Sequence, residues 1–333
     1  MHKIDLVYLW VDGADTAWRK EKNKWLQITQ GTTTIAKNAH SDERYRDNGE
    51  LKYSLRSVAQ NAPWVNHIYI ITGFGQVPKW LNTKHPKITI IPHSDIIPKD
   101  ALPTFNSNTI ELCLHNIPGL SEHFLLMNDD LFFNRTLQPS FFFDKTGSPR
   151  ILHGIRHGNK HKLCCLDNAD TYLSSVILSA KLIQEIYGHD MYKLMPSHGI
   201  DPYLKSAWIA CRNHPQIKPH IDNQLPNKFR TKTELQRWLF NLYNIVNGYA
   251  TPHRSYPHKS GHHLIADTIY NILHFRATRR SPYVCSCVQG HEKSLRTCAI
   301  FCINDSDNNT PDMLRANIQY LDSRWPDKSP YEK

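Results

Sequence analysis

Asn128-Asp129-Asp130 follows a short apolar run, His123-Phe124-Leu125-Leu126-Met127. Two adjacent carboxylates at the exit of a buried strand are costly to desolvate unless something cationic meets them. In an α/β protein that exit is also where ligands bind. The triplet therefore suits metal-assisted chemistry on a phosphorylated substrate. A capped turn after a strand would use the same residue types. Asp12 and Asp15 close an earlier apolar run, Ile4 to Val11. Arg44 and Arg46, within Arg44-Tyr45-Arg46-Asp47-Asn48-Gly49-Glu50, add guanidinium groups, the natural bidentate partners of phosphate. Carboxylates plus arginines suggest a nucleoside diphosphate with a divalent ion between them.

These residues need elements to position them. Residues 4–11 read as a mostly apolar strand ended by Asp12-Gly13-Ala14-Asp15. Residues 16–29 carry Trp18, Trp25 and Ile28 at helical spacing, and 49–60 place Leu51, Leu55 and Val58 on one helical face. Residues 30–48 are polar and aperiodic, which predicts a loop able to close over a substrate. Strands are predicted at 67–72, 87–91 and 123–127, a short helix from Val77 to Leu81, and a helix over 106–116. Continuous apolar strands mean burial on both faces, so the pattern predicts a doubly wound, mainly parallel α/β sheet. Parallel strands share a direction, which puts Asp12 and Asp129 on one sheet edge. The first strand lacks a following Gly-x-Gly-x-x-Gly, which disfavours a dinucleotide fold. Beyond residue 150 the pattern is more helical, near 172–187, 200–210, 231–247 and 311–322. His253, His258, His262 and His263 fall in a polar stretch read as a surface loop.

The chain has 333 residues, 40% of them hydrophobic and 21% charged, as in soluble globular proteins. No apolar run approaches the ~18 residues that span a bilayer. Met1-His2-Lys3-Ile4-Asp5 runs straight into the first strand, so a cytosolic location is expected. A formal charge of +10, with twenty histidines besides, suits anionic partners such as nucleotide phosphates, an anionic polymer or the inner membrane face. The basic residues are scattered and no nucleic-acid motif is present, so nucleic acid is not an expected partner. Cys285, Cys287, Cys298 and Cys302 form C-x-C followed by C-x3-C. A small zinc site and reduced structural thiols both fit, and the spacing favours thiols.

The stretch Ile4 to Asp15, IDLVYLWVDGAD, resembles the first conserved region of the Stealth family. Arg44 to Leu81 and Leu102 to Phe133 resemble the start and end of its second region. Met195 to Trp208 with Lys228 to Phe240 resembles the third, and Phe301 to Asp307 the fourth. The resemblance implies a Rossmann-like, glycosyltransferase-A-like core. Residues 1–150 would be the nucleotide-sugar-binding half, and 151–333 would complete the same catalytic domain. It implies transfer of an N-acetylhexosamine-1-phosphate from a UDP-sugar to a hydroxyl of a capsular oligosaccharide, with release of UMP. A metal-dependent glycosyltransferase releasing UDP, or a non-catalytic binder of anionic glycans, would share the same carboxylates and charge.

By the same resemblance His198 is the base, Arg230 the transition-state arginine and Asp130 the essential second aspartate. Trp10, Asp12, Gly13, Arg46, Arg56, Asn106 and Asn128 would bind substrate. Asp129, Asn304 and Asp305 would hold Mg2+ or Mn2+. The inner-membrane surface and capsule-assembly proteins would be further partners. Two departures accompany the match. Gly199 follows His198 where the family more often has a nearby proline, and Gly73 follows Thr72 where an acidic residue is commoner.

Overall fold

The computed structural model describes residues 2–29, 35–36, 39–166, 169–255 and 281–333, apart from the side chains of residues 160 and 161. In chain order the strands are β1 (Ile4–Leu9), β2 (Ile68–Thr72), β3 (Ile88–Pro92), β4 (His123–Asn128), β5 (Leu131–Phe133) and β6 (Arg150–Ile155). They continue with β7 (Leu194–Pro196), β8 (Asp201–Leu204), β9 (Thr251–Arg254), β10 (Pro282–Cys285) and β11 (Ile300–Ile303). The helices used below are α1 (Thr16–Thr29), α2 (Glu50–Asn61), α3 (His93–Ile96), α4 (Ser107–Glu111), α5 (Lys160–Cys164) and α6 (Thr171–Tyr187). After them come α7 (Lys205–Asn213), α8 (Lys218–Gln224) and α9 (Trp238–Val246).

The central sheet has the order β3-β2-β1-β4-β8. Its first four strands are parallel and β8 runs antiparallel to β4. The chain steps outward from β1 to β2 and β3, then returns to lay β4 on the other side of β1. Strand order thus reverses between β1 and β4, the point where open α/β sheets bind ligands. Leu9 pairs with Asn128, so the two strands end level.

Both faces of the sheet are covered. Leu6, Tyr8, Ile70 and Met127 pack with Leu51, Leu55 and Val58 of α2. Val7, Ile71, Phe124 and Leu126 pack with Ile177 of α6, Trp208 of α7 and Phe240 of α9. Two-sided burial is why these strands read as unbroken apolar runs.

Several local expectations change. Val77–Leu81 is a turn whose Leu81 bridges to Glu332 rather than a helix. The helix expected over 106–116 shortens to α4 and a separate 3-10 turn, Leu114–Asn116. The helix expected over 200–210 begins as β8, because pairing with β4 extends Asp201–Leu204 before α7 starts. The helix expected over 231–247 starts only at Trp238. Two small sheets, β10-β11-β5 and β7-β6-β9, add strands that no alternation in the sequence announced. Within the 30–48 loop, Asp42–Arg44 forms a 3-10 turn, while 30–34 and 37–38 lie outside the described residues. His258, His262 and His263 also lie outside them, and His253 sits on β9.

Candidate active site

A cleft of about 620 Å³ opens at the exits of β1 and β4. Trp10 and Val11 reach it from β1, and Asn128, Asp129 and Asp130 from β4. Arg44, Arg46 and Glu50 come from the segment before α2 and its first residue. His198 stands before β8, Arg230 and Arg237 before α9, and Asn304 and Asp305 after β11. The Ile303 N–H donates to the Asp130 carbonyl at 3.0 Å, tying the end of β11 to the triplet.

Asp129 sits in acidic company. Burial raises its carboxyl pKa well above the usual range, and Asp130, Glu50 and Asp47 push it further. No Lys or Arg lies within ion-pair distance of it among the described residues. Burial lifts Glu50 to about 7, although the Asn48 backbone N–H and side-chain amide each donate to it at 2.8 Å. Asp47 is raised for the same reason, against a 2.9 Å donation from the Gly49 N–H. A group of carboxyls held this way takes up a cation readily.

Asp130 sits in different company. Its carboxyl is raised by burial, and nearby His198 and the Cys302 thiol counter that. The thiol donates to Oδ2 at 3.1 Å. Oδ1 is sealed from solvent and has no hydrogen-bond partner among the described residues, and the same holds for Nε2 of His198. Burial lowers the His198 pKa while Asp130 opposes that shift, so the imidazole is held toward the neutral form that accepts a proton. His198 has φ +53°, a left-handed conformation that side chains rarely adopt outside sites the surrounding structure over-determines. A Cβ on Gly199 would lie 2.6 Å from Pro282 Cγ, so β10 packs too closely for a larger residue after the histidine.

Cationic groups face the acids. Arg46 pairs with Asp305 at 3.0 Å. Arg230 donates to the Ser107 hydroxyl. Arg44 lines the same cleft with Arg230 close by. Asp305 also accepts from the Ser306 N–H and the Asn309 amide, so both its oxygens are engaged.

Arg237, which the sequence reading did not single out, is central. It donates to Glu111 and to Asn128 at 3.1 Å each, and meets Asp201 at 3.2 Å. Asp201 is still lifted to about 6 by burial. Arg237 therefore orients Asn128 and joins α4, β4 and β8. Its partners lie far away in sequence, and only its place in the segment resembling the third region signalled it. Glu50 and Asp201 were missed likewise, and Cys302 was considered only as one of the four clustered cysteines.

Four residues expected to bind substrate are not among those that line the cleft. The Asp12 side chain accepts from the Ala14 N–H at 2.8 Å, and its backbone is clasped by Gln76. The Gly13 N–H donates to the Tyr45 carbonyl at 2.7 Å, and a Cβ there would lie 2.4 Å from that oxygen. Asn106 caps α4 and donates to Glu234 at 2.9 and 3.0 Å. Arg56 makes a buried two-pronged pair with Glu332, 2.8 Å for each bond, and donates to the Trp325 carbonyl. Its charge is spent on holding the end of the chain. Trp10, Arg46, Asn128, Asp129, Asp130, His198, Arg230, Asn304 and Asp305 all line the one cleft.

The four clustered cysteines are free thiols that point to separate partners. Cys298 meets the Leu295 carbonyl and Cys302 meets Asp130, so the four sulfurs are not gathered around one point. An all-oxygen divalent site fits better at Asp129, where a hard cation would offset the acidic neighbours and Asn304 lines the same cleft.

Residues 2–29 match conserved region 1 of the Stealth proteins, and residues 44–151 match conserved region 2. The capsular polysaccharide phosphotransferase WcwK of Streptococcus pneumoniae is 30% identical over an aligned length of 359, covering 100% of each chain. The capsular polysaccharide phosphotransferase fcs1 of Haemophilus influenzae is 31% identical over 316 residues, covering 95% of this chain and 81% of its own. Among solved structures, the galactosyltransferase LgtC in complex with donor and acceptor sugar analogs aligns at 11% identity with a TM-score of 0.44, covering 98% of this chain and 96% of its own. With conserved regions 1 and 2 matched and 30% identity to WcwK running the full length of both chains, the protein belongs to the Stealth family.

Proposed function

We propose that the chain moves an N-acetylhexosamine-1-phosphate from a UDP-sugar to a hydroxyl of a growing capsular glycan. The observation that carries this reading is one cleft holding a proton-accepting His198 beside Asp130, buried carboxyls around Asp129, and Arg44, Arg46 and Arg230. Acids and arginines together match a cation-bridged diphosphate.

The acceptor hydroxyl loses its proton to His198 as its oxygen bonds to the sugar-bearing phosphorus. The bond from that phosphorus to the bridging oxygen breaks, and UMP departs with the oxygen. Arg230 meets the charge that builds on the phosphoryl oxygens, and Asp130 steadies the imidazolium. Asp129, with Asn304 and Asp305, would hold Mg2+ or Mn2+, which when bound neutralises the diphosphate. Asn128, fixed by Arg237, and Trp10 position the donor. Residues 1–150 supply the donor side and 151–333 the base and the arginine, as one catalytic domain.

No helix among the described residues is long and apolar enough to cross a membrane. We place the reaction in the cytoplasm, where a +10 chain suits the anionic inner membrane face and capsule-assembly partners there.

The test is product identity. Purified protein, Mg2+, UDP-N-acetylglucosamine and capsule oligosaccharide are incubated, and nucleotides are separated by anion exchange. UMP formed only with acceptor is expected. UDP would make the protein an ordinary glycosyltransferase and overturn the proposal.

A further inference from the structure

Asp130, His198 and Cys302 bring one oxygen, one nitrogen and one sulfur ligand atom within 4.8 Å of one another. This is the one such trio of His, Cys, Asp or Glu groups among the described residues. Two of its atoms, Asp130 Oδ1 and His198 Nε2, are buried without a hydrogen-bond partner. Buried polar atoms left unsatisfied call for an explanation. Transfer to an acceptor hydroxyl uses the imidazole and the carboxylate but has no need for a thiol.

We propose that this trio is a second cation site, selective for a borderline-soft divalent ion of the zinc type, and that filling it switches the enzyme off. Inhibition rests on the catalytic roles given above to His198 and Asp130, whereas binding does not. The donor set decides the ion. Sulfur and imidazole suit zinc, while Mg2+ prefers oxygen and keeps its waters. Three protein ligands with an open fourth position are a common zinc arrangement. Zn–S and Zn–N bond lengths place tetrahedral ligands roughly 3–4 Å apart, and the Cys302 sulfur already lies 3.1 Å from Asp130 Oδ2. Side-chain rotations within the existing cluster can close the rest.

Binding proceeds with a defined balance. The Cys302 S–H breaks, its proton passes to buffer, and the thiolate and the His198 nitrogen each give an electron pair to the metal. Nothing is oxidised or reduced. His198 then has no lone pair for the acceptor proton, so zinc and turnover exclude each other. The Asp129 side holds no sulfur or imidazole, so the two ions need not compete for ligands.

The experiment titrates the whole protein with Co2+ as a spectroscopic stand-in for zinc, without substrates. A thiolate-to-cobalt charge-transfer band is expected, reversed by added Zn2+ and absent from Cys302→Ala. In parallel, UMP formation at saturating Mg2+ should fall with added Zn2+, recover on selective chelation, and resist zinc at least ~10-fold better in Cys302→Ala. No band, or a band unchanged in Cys302→Ala, overturns the site. If Cys302→Ala does not fold, His198→Gln serves instead. Its cobalt affinity should drop ~10-fold or more, in the range that ligand-sphere changes produce, and an unchanged affinity overturns the site. A cobalt band with UMP formation indifferent to zinc overturns the switch. Failure to form UMP without any added zinc, with the band present, would instead count against the proposed reaction.

Discussion

Asp129 sits among Glu50, Asp47 and Asp130, while Asp130 sits among His198, Arg237 and Cys302. The two are chain neighbours at the end of one strand, both half-buried, with carboxyl pKa values raised by desolvation. On one side the neighbouring side chains that act on the carboxyl are all acidic, and a bound cation would relieve them. On the other, imidazole, guanidinium and thiol counter the desolvation. The first arrangement waits for a positive charge, and the second keeps a proton acceptor beside a carboxylate. In the proposed reaction, one Asp-Asp step thus separates a charge-neutralising function from a proton-transfer function. Environment rather than residue type assigns the roles.

The harshest test of that division is His198→Ala. Turnover should fall ~10²–10⁴-fold, the usual range for a lost general base. What remains should lose its dependence on the imidazole pKa. An unchanged rate across pH 6 to 9 would remove His198 from the mechanism. The paired variants Asp129→Asn and Asp130→Asn come next. Asp129→Asn should cost about 10²-fold, within the several kcal/mol a metal supplies to charge stabilisation, and excess Mg2+ should restore part of it. Asp130→Asn should resist such rescue, and its pH–rate midpoint should move down as the imidazole loses the neighbouring charge. Equal rescue of both variants by Mg2+ would collapse the comparison.

Glu50 reports on the acidic side through stability. Its pKa rises from 4.5 to about 7 on folding. The folded chain therefore holds a proton that the unfolded chain has already released. Stability should decline as pH rises from about 4.5 to 7 and stay level above that, by ~3 kcal/mol with divalent ions chelated. Glu50→Gln should flatten this slope in chemical-denaturation curves taken at several pH values. A Glu50→Gln chain with the same pH dependence as wild type would mean that Glu50 is ionised throughout.

How much of this was legible in the residues alone follows from physical range. β1, β2, β3, β4, α1 and α2 are bounded by local turn signals and carry unbroken apolar runs or one apolar face, so their pattern shows in short windows. β8 does not, because Asp201-Pro202-Tyr203-Leu204 becomes a strand only by pairing with β4. Arg237 was hidden because Glu111, Asn128 and Asp201, which define it, come from three other elements. Arg56 differs from its expected place for the opposite reason. It lies near the cleft segment in sequence, yet Glu332 at the far end of the chain claims its charge. Cys302 looked like part of a cysteine cluster until β11 aligned with β5 and set its sulfur against Asp130. Local periodicity finds scaffolds, and long-range pairing decides which charges remain for chemistry.

The finest adjustment of the comparison concerns Asn48. Its backbone and side-chain N–H groups both donate to Glu50, so the loop partly offsets the burial that raises this acid. Asn48→Ala removes the side-chain donor and leaves the backbone one. A hydrogen bond to a charged group contributes ~1.5–3 kcal/mol when both partners are well ordered. Water entering at the half-buried Asn48 side should recover part of that. The Glu50 midpoint should then move up from about 7 by ~1 pH unit, which corresponds to ~1.4 kcal/mol. Mg2+ affinity, which needs the ionised acid, should weaken at pH 7 and return to wild-type at higher pH. Titrating Mg2+ against UMP formation at pH 7 and 8.5 reads this directly. A loss of equal size at both pH values would mean that Asn48 shapes the loop and does not tune the acid.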